Sequence, residues 1–251
     1  MNYPNRIIKE GDTDTAVVIA IQNRLQELGL GNLKGTGIFG PKTTSAVKQF
    51  QATHRDQHGN PLEMDGKIGA ITWESLFGPE TISGSSEAES ELLKQTIVVA
   101  RGQVGTMEEP PGSNKGPKVS AYLQSVNCPP GSFWCAAFVY WCFRDAADSL
   151  NRQTPVFKTG GCLMHWNNTK GKKITAKEAK GAPDLVKPGQ IFIIDHGNGF
   201  GHTGLIEKVN GGFISTIEGN SNPSGSSNGI GVFQLERKIS RISKGFIDYS
   251  L

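Results

Sequence analysis

Three residues of the chain carry the side chains that nucleophilic attack on an amide carbonyl needs: Cys135, His202 and Glu218. A thiolate is the attacking group, an imidazole takes up the thiol proton near neutral pH, and a carboxylate orients the far ring nitrogen. Cys135 follows a Pro-Pro-Gly turn at residues 129–131 and opens a segment whose apolar residues are close to helical spacing. The free N–H groups and the dipole of a helix start would lower the pKa of its thiol. Taken alone, this segment also fits a small core cysteine in a hydrophobic helix.

The base has to come from a distant part of the chain. His202 stands at the start of an apolar run that is typical of a β-strand, and Glu218 ends the next such run. A further buried strand is predicted at residues 190–195. Antiparallel strands in succession place the start of one beside the end of the next, so we expect His202 and Glu218 to lie side by side. His196, in a glycine-rich turn, is the alternative base.

The composition limits the class of protein. Of the 251 residues, 36% are hydrophobic and 20% charged, which is enough apolar surface for a core. A net charge of +3, evenly spread, indicates no nucleic-acid partner. No apolar run approaches the ~18 residues of a membrane span, so we expect no membrane insertion. The four cysteines lack zinc spacing, which predicts no metal and no cofactor and leaves open whether Cys128 and Cys162 pair.

A linker composition at residues 81–91 divides the chain. The stretch is rich in serine and acidic residues and follows the stop signal Phe77-Gly-Pro79. It predicts a small domain of residues 1–80 and a larger one of residues 92–251. In the small domain, glycine turns that begin at Gly37 and Gly66 form a weak repeat, 29 residues apart. The apolar spacing predicts three helices, at about residues 17–28, from Pro41, and at residues 72–77.

The small domain resembles a family that is common in cell-wall hydrolases. Residues 37–51 and 65–76, with the preceding Leu25-Gln-Glu-Leu-Gly29, look like the helical peptidoglycan-binding domain. The resemblance covers nearly all of residues 10–78 and implies a three-helix fold with peptidoglycan as partner. Residues 54–64 look like a loop insertion that would alter the choice of ligand. The alternative is a helical spacer that binds nothing.

The larger domain resembles a second family, the cysteine- and histidine-dependent amidohydrolase/peptidase (CHAP) domain. The resemblance rests on Trp134-Cys-Ala-Ala-Phe-Val-Tyr-Trp141, Gly201-His-Thr-Gly204 and Ile217-Glu-Gly-Asn220, in the order of the family. It implies an α+β, papain-like fold with N-terminal helices packed on an antiparallel β-sheet. It also implies Cys135 as nucleophile, His202 as base, Glu218 as orienting group and Asn220 as a second polar position. Trp134 and Asn114 are expected, by position, to line the substrate groove.

The two resemblances together predict a peptidoglycan hydrolase. Cleavage of the bond between muramic acid and L-alanine, as by an N-acetylmuramoyl-L-alanine amidase, is the first interpretation, and an endopeptidase of the stem or cross-bridge is the second. A non-catalytic wall-binding protein with an inactive papain-like domain is an alternative from another class. A general peptidase or transferase with a spacer domain is the last, and it predicts no retention on sacculi.

The polar N-terminal residues do not resemble a signal peptide, because the apolar patch at residues 16–21 is too short. We expect synthesis in the cytoplasm and action at the cell wall or periplasm, after release by a holin or by a secretion system. The sequence is compatible with a phage lysin and with a secreted antibacterial toxin. For a toxin, an immunity protein is the further expected partner.

Overall fold

The fold is described from a computed structural model that covers residues 1–225 and 229–250. The chain forms two compact units, Met1–Gly84 with Lys180–Pro183, and Ser85–Ala179 with the residues from Asp184 onward. Each unit has a core of its own buried apolar side chains. No helix in the described part of the chain is long and apolar enough to cross a membrane.

The first unit contains three helices, as the apolar spacing predicted: α1 (Thr15–Glu27), α2 (Pro41–Thr53) and α3 (Ala70–Phe77). The carboxylate of Asp14 caps α1 by accepting from the N–H of Val17, and Pro41 occupies the first turn of α2. A short 3-10 turn, Pro79–Thr81, follows α3. The largest fully buried side chain is Trp73 on α3, which packs among apolar residues of all three helices.

The internal repeat of the first unit is organised by two buried glutamines, Gln22 and Gln51, which the sequence reasoning did not single out. The Gln22 amide donates to the carbonyl of Ile38 and the Thr43 hydroxyl, and its oxygen accepts from the N–H of Gly37 at 2.9 Å. Gln51 makes the equivalent contacts with the equivalent residues, which are Lys67, Thr72 and, at 2.8 Å, Gly66. Each glutamine therefore fastens one glycine turn to the helix that precedes it.

In the remaining chain most helices come before most strands, so a helical part is followed by a sheet. The helices are α4 (Glu91–Arg101), α5 (Pro117–Ser125), α6 (Cys135–Ser149), α7 (Cys162–Asn168) and α8 (Ala176–Gly181). The strands are β1 (Gly84–Ser85), β2 (Lys172–Thr175), β3 (Ile191–Gly197), β4 (Phe200–Asn210), β5 (Phe213–Ser221), β6 (Gly231–Lys238) and β7 (Gly245–Asp248). Two 3-10 turns, Pro183–Leu185 and Ile239–Arg241, complete the chain.

The sheet of the second unit is antiparallel, with the strand order β2-β7-β3-β4-β5-β6. Alternate residues along its strands bury two apolar layers. One layer, with Ile193, Leu205 and Ile217, packs in the same cluster as the helices α4, α5 and α6, and the other contains Phe192 and Ile206. The expected α+β fold, with helices packed on an antiparallel sheet, is confirmed.

Candidate active site

Cys135 is the first residue of α6, as the sequence predicted. The helix starts after the turn at residues 129–131, and the carbonyl of Trp134 accepts the first helical hydrogen bond, from Phe138. Its side chain is buried, with 5% of its surface exposed. The backbone N–H groups of Ala136 and Thr203 point at the thiol and favour its ionised form. Because Thr203 directly follows His202, the thiol lies beside the strand that carries the expected base.

The expected contribution of the helix start is present, since the N–H of Ala136 lowers the pKa of the Cys135 thiol, but it does not set the net direction of the shift. The thiol is hydrogen-bonded to Cys162, at the start of α7, and this bond together with burial raises the pKa of Cys135 well above its ordinary value. The same bond lowers the pKa of Cys162. The two N–H groups act in the opposite direction but are outweighed. Cys162 lies 27 residues along the chain from Cys135, so no local pattern indicated this neighbour.

His202 and Glu218 lie together, as the three-strand argument predicted. The Nε2 atom of His202 is 2.8 Å from a carboxylate oxygen of Glu218, and the two side chains are 1% and 0% exposed. An ionised carboxylate only accepts hydrogen bonds, so Nε2 carries the ring proton and Nδ1 has the free lone pair. Nδ1 is buried and has no hydrogen-bond partner among the residues that the structure describes. The imidazole is therefore oriented at one nitrogen and available to take a proton at the other.

The close approach of these two side chains depends on Gly204, two residues after His202 on β4. A Cβ at this position would come within 2.8 Å of both the Cγ of Glu218 and the ring of Phe192. The absence of a side chain gives Glu218 the space to lie beside the imidazole, whose ring centroid is 5.9 Å from that of Phe192. A side chain at the glycine of the His-Thr-Gly motif would therefore collide with Glu218 and Phe192.

Glu218 is held as a carboxylate by a dense set of donors. Burial opposes its charge, yet hydrogen bonds from Arg237 and His202 outweigh burial and lower the pKa of Glu218 to about 2. Arg237 donates from Nε and Nη2 at 2.5 and 2.6 Å, and the Thr216 hydroxyl donates at 2.5 Å. Neither Arg237 nor Thr216 had an assigned role from sequence. Thr216 precedes Glu218 by two residues on β5, so the two side chains share a face of the sheet. This spacing could have identified Thr216 from the sequence.

Asn220 lies near the nucleophile's helix rather than against the imidazole. Its side-chain oxygen accepts the N–H of Trp134 at 3.1 Å, and its amide donates to Asn114 at 3.0 Å. The carboxylate of Glu108, 1% exposed, accepts from the indole of Trp134 at 2.8 Å and from the N–H of Asn114 at 2.9 Å. These contacts fix the residue before Cys135. Glu108 was missed because it stands in a loop without any motif.

Trp134 does not line a groove in this structure. Its side chain is fully buried, between the core and Glu108, so it presents no surface to a substrate, contrary to the expectation. Asn114 is half-buried and lies next to Asn220. The exposed aromatic residues at this end of the unit are instead Phe133 and Phe200, at 48% and 60%. Their rings meet edge to face with centroids 6.5 Å apart.

The other histidines of this unit are in different surroundings. His196, the alternative base, is exposed at the irregular end of β3, where the pairing with β4 shifts. His165 is 1% exposed, and its Nε2 is 2.8 Å from the Tyr249 hydroxyl. Burial lowers the pKa of His165 to about 4, so this ring is neutral at physiological pH. His202 is thus the histidine that combines burial, a carboxylate partner and a free nitrogen.

The four cysteines are free thiols, with Cys128 half-buried and the other three buried. Within the described residues, no group of three or more His, Cys, Asp or Glu side chains is arranged to hold a metal ion. The reactive groups at this site are the thiol, the imidazole and the carboxylate, with their supporting hydrogen bonds.

Two models of known protein families match separate parts of the chain. A family model described as a CHAP domain matches residues 127–220, and one described as a peptidoglycan binding domain matches residues 15–76. Searches of curated proteins and of solved structures found no match. The CHAP match includes Cys135, His202 and Glu218, and the other match includes all three helices of the first unit except the last residue of α3. The chain therefore joins a peptidoglycan-binding domain to a CHAP domain of the cysteine- and histidine-dependent amidohydrolase/peptidase family, and the protein is a peptidoglycan hydrolase.

Proposed function

We propose that the protein is an N-acetylmuramoyl-L-alanine amidase that cleaves peptidoglycan with Cys135 as nucleophile, His202 as base and Glu218 as orienting group. The observation that carries the assignment of roles is the Nδ1 atom of His202, which none of the described residues contacts through a hydrogen bond. A buried ring nitrogen without a hydrogen bond is costly, and such groups are concentrated where a protein performs chemistry. Here it belongs to a residue whose neighbour in sequence, Thr203, contacts the Cys135 thiol.

In the proposed mechanism the thiol first turns from Cys162 to the Nδ1 atom of His202 and transfers its proton. The resulting imidazolium keeps its Nε2–H on Glu218, which remains ionised. The thiolate attacks the lactyl carbonyl of the muramic acid, and N–H groups at the start of α6, including that of Cys135, stabilise the oxyanion. The imidazolium then protonates the amine of the departing L-alanine.

The second half of the reaction regenerates the thiol. A water molecule gives a proton to His202 and attacks the thioester, which breaks the bond between sulfur and the acyl carbon. The products are the glycan with a free lactyl carboxylate and the stem peptide with a free amino terminus. Removal of either the base or the orienting carboxylate slows both halves.

The choice of the amide bond rests on the exposed aromatic pair. Phe133 precedes Cys135 by two residues and Phe200 precedes His202 by two, and their rings meet, so we infer that they lie beside the reacting groups. An exposed aromatic surface of this kind marks a ligand contact, and the apolar face of a sugar ring is a suitable partner for it. A sugar lies next to the scissile bond in the amidase reaction but not in the endopeptidase reaction.

The peptidoglycan-binding domain would act by tethering, since a bound wall fragment raises the local concentration of substrate. We propose that the protein is made in the cytoplasm and acts at the wall after release by a holin or a secretion system. For a secreted toxin, an immunity protein would be the additional partner.

The test is mass spectrometry of the soluble fragments released from purified sacculi. Wild type, Cys135→Ala and the control Cys142→Ala are compared, because Cys142 is also buried on α6. We expect free stem peptides without sugar from wild type and from the control, and nothing from Cys135→Ala. Cleaved stems or bridges still attached to sugar would instead identify an endopeptidase. Release by Cys135→Ala would contradict the proposed nucleophile.

A further inference from the structure

His202 and Glu218 form the proposed catalytic pair, and Arg237 is hydrogen-bonded to the carboxylate of this pair. Its guanidinium donates two hydrogen bonds to the two oxygens of Glu218, at 2.5 and 2.6 Å, and a third to the carbonyl of Gly225 at 3.0 Å. The side chain is 17% exposed and lies over the ring of Phe192, at 5.3 Å from the centroid. Phe192 is also the ring against which His202 packs. Arg237 and His202 thus share both a carboxylate and an aromatic neighbour.

The charge of Glu218 decides which nitrogen of His202 is basic. An ionised carboxylate accepts from Nε2–H and leaves Nδ1 free, whereas a protonated carboxyl could donate to Nε2 and move the ring proton to Nδ1. Glu218 is fully buried, and burial alone favours its protonated form. A fixed positive charge beside it removes this tendency, because a guanidinium is not deprotonated in proteins.

We propose that Arg237 is a positioning residue of the hydrolase, which keeps Glu218 ionised and thereby keeps Nδ1 of His202 as the proton-accepting atom. This inference rests on the proposed function, in which His202 is the base. Arg237 also neutralises the buried charge, so that Arg237, Glu218 and neutral His202 have no net charge together. Without the guanidinium, the buried carboxylate of Glu218 would lose its fixed positive partner and would take up a proton at a higher pH.

The surroundings contain few other charges that could replace Arg237. Two titratable groups act on the thiol side of the site: Cys162 on α7 contacts Cys135, and the half-buried carboxylate of Asp195 on β3 acts electrostatically on Cys162. Asp195 is itself paired with Lys244. Among the described residues, Arg237 is the cation that contacts Glu218.

The same unit contains a matched control, a second buried carboxylate with an arginine partner. Glu207 on β4 is 2% exposed, and it accepts from Nε of Arg101 at 2.5 Å. Its second oxygen accepts from the side chain of Gln234. This pair has no histidine and stands outside the proposed site. Loss of Arg101 should therefore affect stability but not proton transfer.

The experiment measures kcat/KM for release of fragments from sacculi between pH 5 and 10, for the full chain with Arg237→Gln, Arg237→Lys or Arg101→Gln. For Arg237→Gln we expect both limbs of the profile to move to higher pH, by about one unit, and activity at neutral pH to fall about tenfold. Arg237→Lys keeps the charge but loses the two parallel hydrogen bonds. Arg237→Lys should therefore keep the wild-type pH profile but have a lower kcat. Arg101→Gln should leave both the pH profile and kcat unchanged.

An unshifted profile in folded Arg237→Gln would overturn the proposal, as would an equal shift in Arg101→Gln. If Arg237→Gln does not fold, Arg237→Lys decides, because a shifted profile in a variant that keeps the charge contradicts the role. Cys135→Ala is measured in parallel. Activity in that variant would mean that the proposed function has failed, whereas an inactive Cys135→Ala with an unshifted Arg237→Gln would refute this inference alone.

Discussion

The buried polar side chains of the two units differ in how completely they are hydrogen-bonded. In the helical unit, Gln22 and Gln51 use both the oxygen and the nitrogen of their amides to fasten a glycine turn. In the hydrolase unit, His202 is equally buried but uses only Nε2, and its Nδ1 has no partner within the described ranges of the chain. A satisfied buried amide contributes to the stability of a turn. An unsatisfied ring nitrogen costs stability and is retained where it has a task.

This contrast separates residues that hold a structure from residues that perform a reaction. It also applies within the hydrolase unit, where the Nε2 atoms of both buried histidines are bonded, that of His165 to the Tyr249 hydroxyl and that of His202 to the Glu218 carboxylate. Only His202 has a buried ring nitrogen without a partner among the described residues. The two histidines therefore differ in their hydrogen-bond partners, which substitutions can test directly.

The largest effect is expected for the two buried histidines. His202→Ala should lower kcat by about 10³-fold or more, because the thiol loses its proton acceptor in both halves of the reaction. His165→Gln should reduce the free energy of unfolding, yet change kcat less than about threefold. Steady-state release of fragments from sacculi and urea denaturation measure the two quantities. Equal losses of kcat in both folded variants would contradict the distinction.

The next effect concerns the helical unit. Gln51→Ala removes an amide that serves the N–H of Gly66 and the carbonyl of Lys67, and should destabilise this unit by about 3 kcal/mol. Hydrogen exchange followed by mass spectrometry should show faster exchange in α2 and α3, and the protein should be retained less on sacculi. The exposed Gln49→Ala is the control on the same helix. Unchanged exchange in Gln51→Ala would show that the buried amide does not hold the turn.

The pH dependence of stability should show the two polar sites of the hydrolase unit in separate ranges. The pKa of His165 is lowered from 6.5 to about 4, so the unfolded chain binds this proton more tightly and stability falls as the pH decreases from 6.5 to 4. The pKa of Glu218 is lowered from 4.5 to about 2, so its contribution is complete above pH 4.5 and is lost as the pH falls towards 2. Each shift corresponds to about 3 kcal/mol.

Urea denaturation at pH 7, 4.5 and 2.5 tests these ranges. His165→Gln should remove most of the decrease between pH 7 and 4.5 that wild type shows, and Glu218→Gln should reduce the decrease between pH 4.5 and 2.5. A Glu218→Gln variant with the full wild-type decrease in the lower range would mean that this carboxylate is not held ionised by its partners.

The smallest effect is expected at Cys162. Its hydrogen bond is the main cause of the raised pKa of Cys135, so Cys162→Ala should lower that pKa and speed alkylation of Cys135 several-fold at pH 7. Peptide mapping after iodoacetamide treatment measures the rate for each cysteine. Cys142→Ala is the control, because Cys142 is another buried thiol and its own pKa is raised mainly by burial. This substitution should leave the alkylation rate of Cys135 unchanged. Slower alkylation in Cys162→Ala would indicate that Cys162 assists the nucleophile instead.

Much of the fold was predictable because local patterns determine it. Asp14 and Pro41 marked helix starts, and the apolar periodicity indicated the faces that are buried. The strand order around His202 followed from three apolar runs joined by short turns, which form an antiparallel meander. The pairing of His202 with Glu218 came from the same reasoning. Such features depend on residues that are close in sequence.

The features that escaped prediction depend on long-range contacts that no local pattern indicates. Cys162 reaches Cys135 from a different helix, and it reverses the expected direction of the pKa shift. Arg237 extends to Glu218 from the neighbouring strand, and Glu108 holds the indole of Trp134 from a loop. The aromatic expected at the groove is buried because a carboxylate accepts its only N–H. Burial of a polar group against one distant partner cannot be deduced from periodicity.

The central claim is that Cys135 attacks the lactyl carbonyl and carries the glycan as a thioester. The most direct measurement is acid quenching of wild-type protein during turnover of a disaccharide-peptide fragment, followed by peptide mass spectrometry. We predict an adduct on the peptide that contains Cys135, with the mass of the disaccharide-lactyl acyl group, and no adduct in Cys135→Ala. An acyl group on another residue, or continued turnover by Cys135→Ala, would contradict the account.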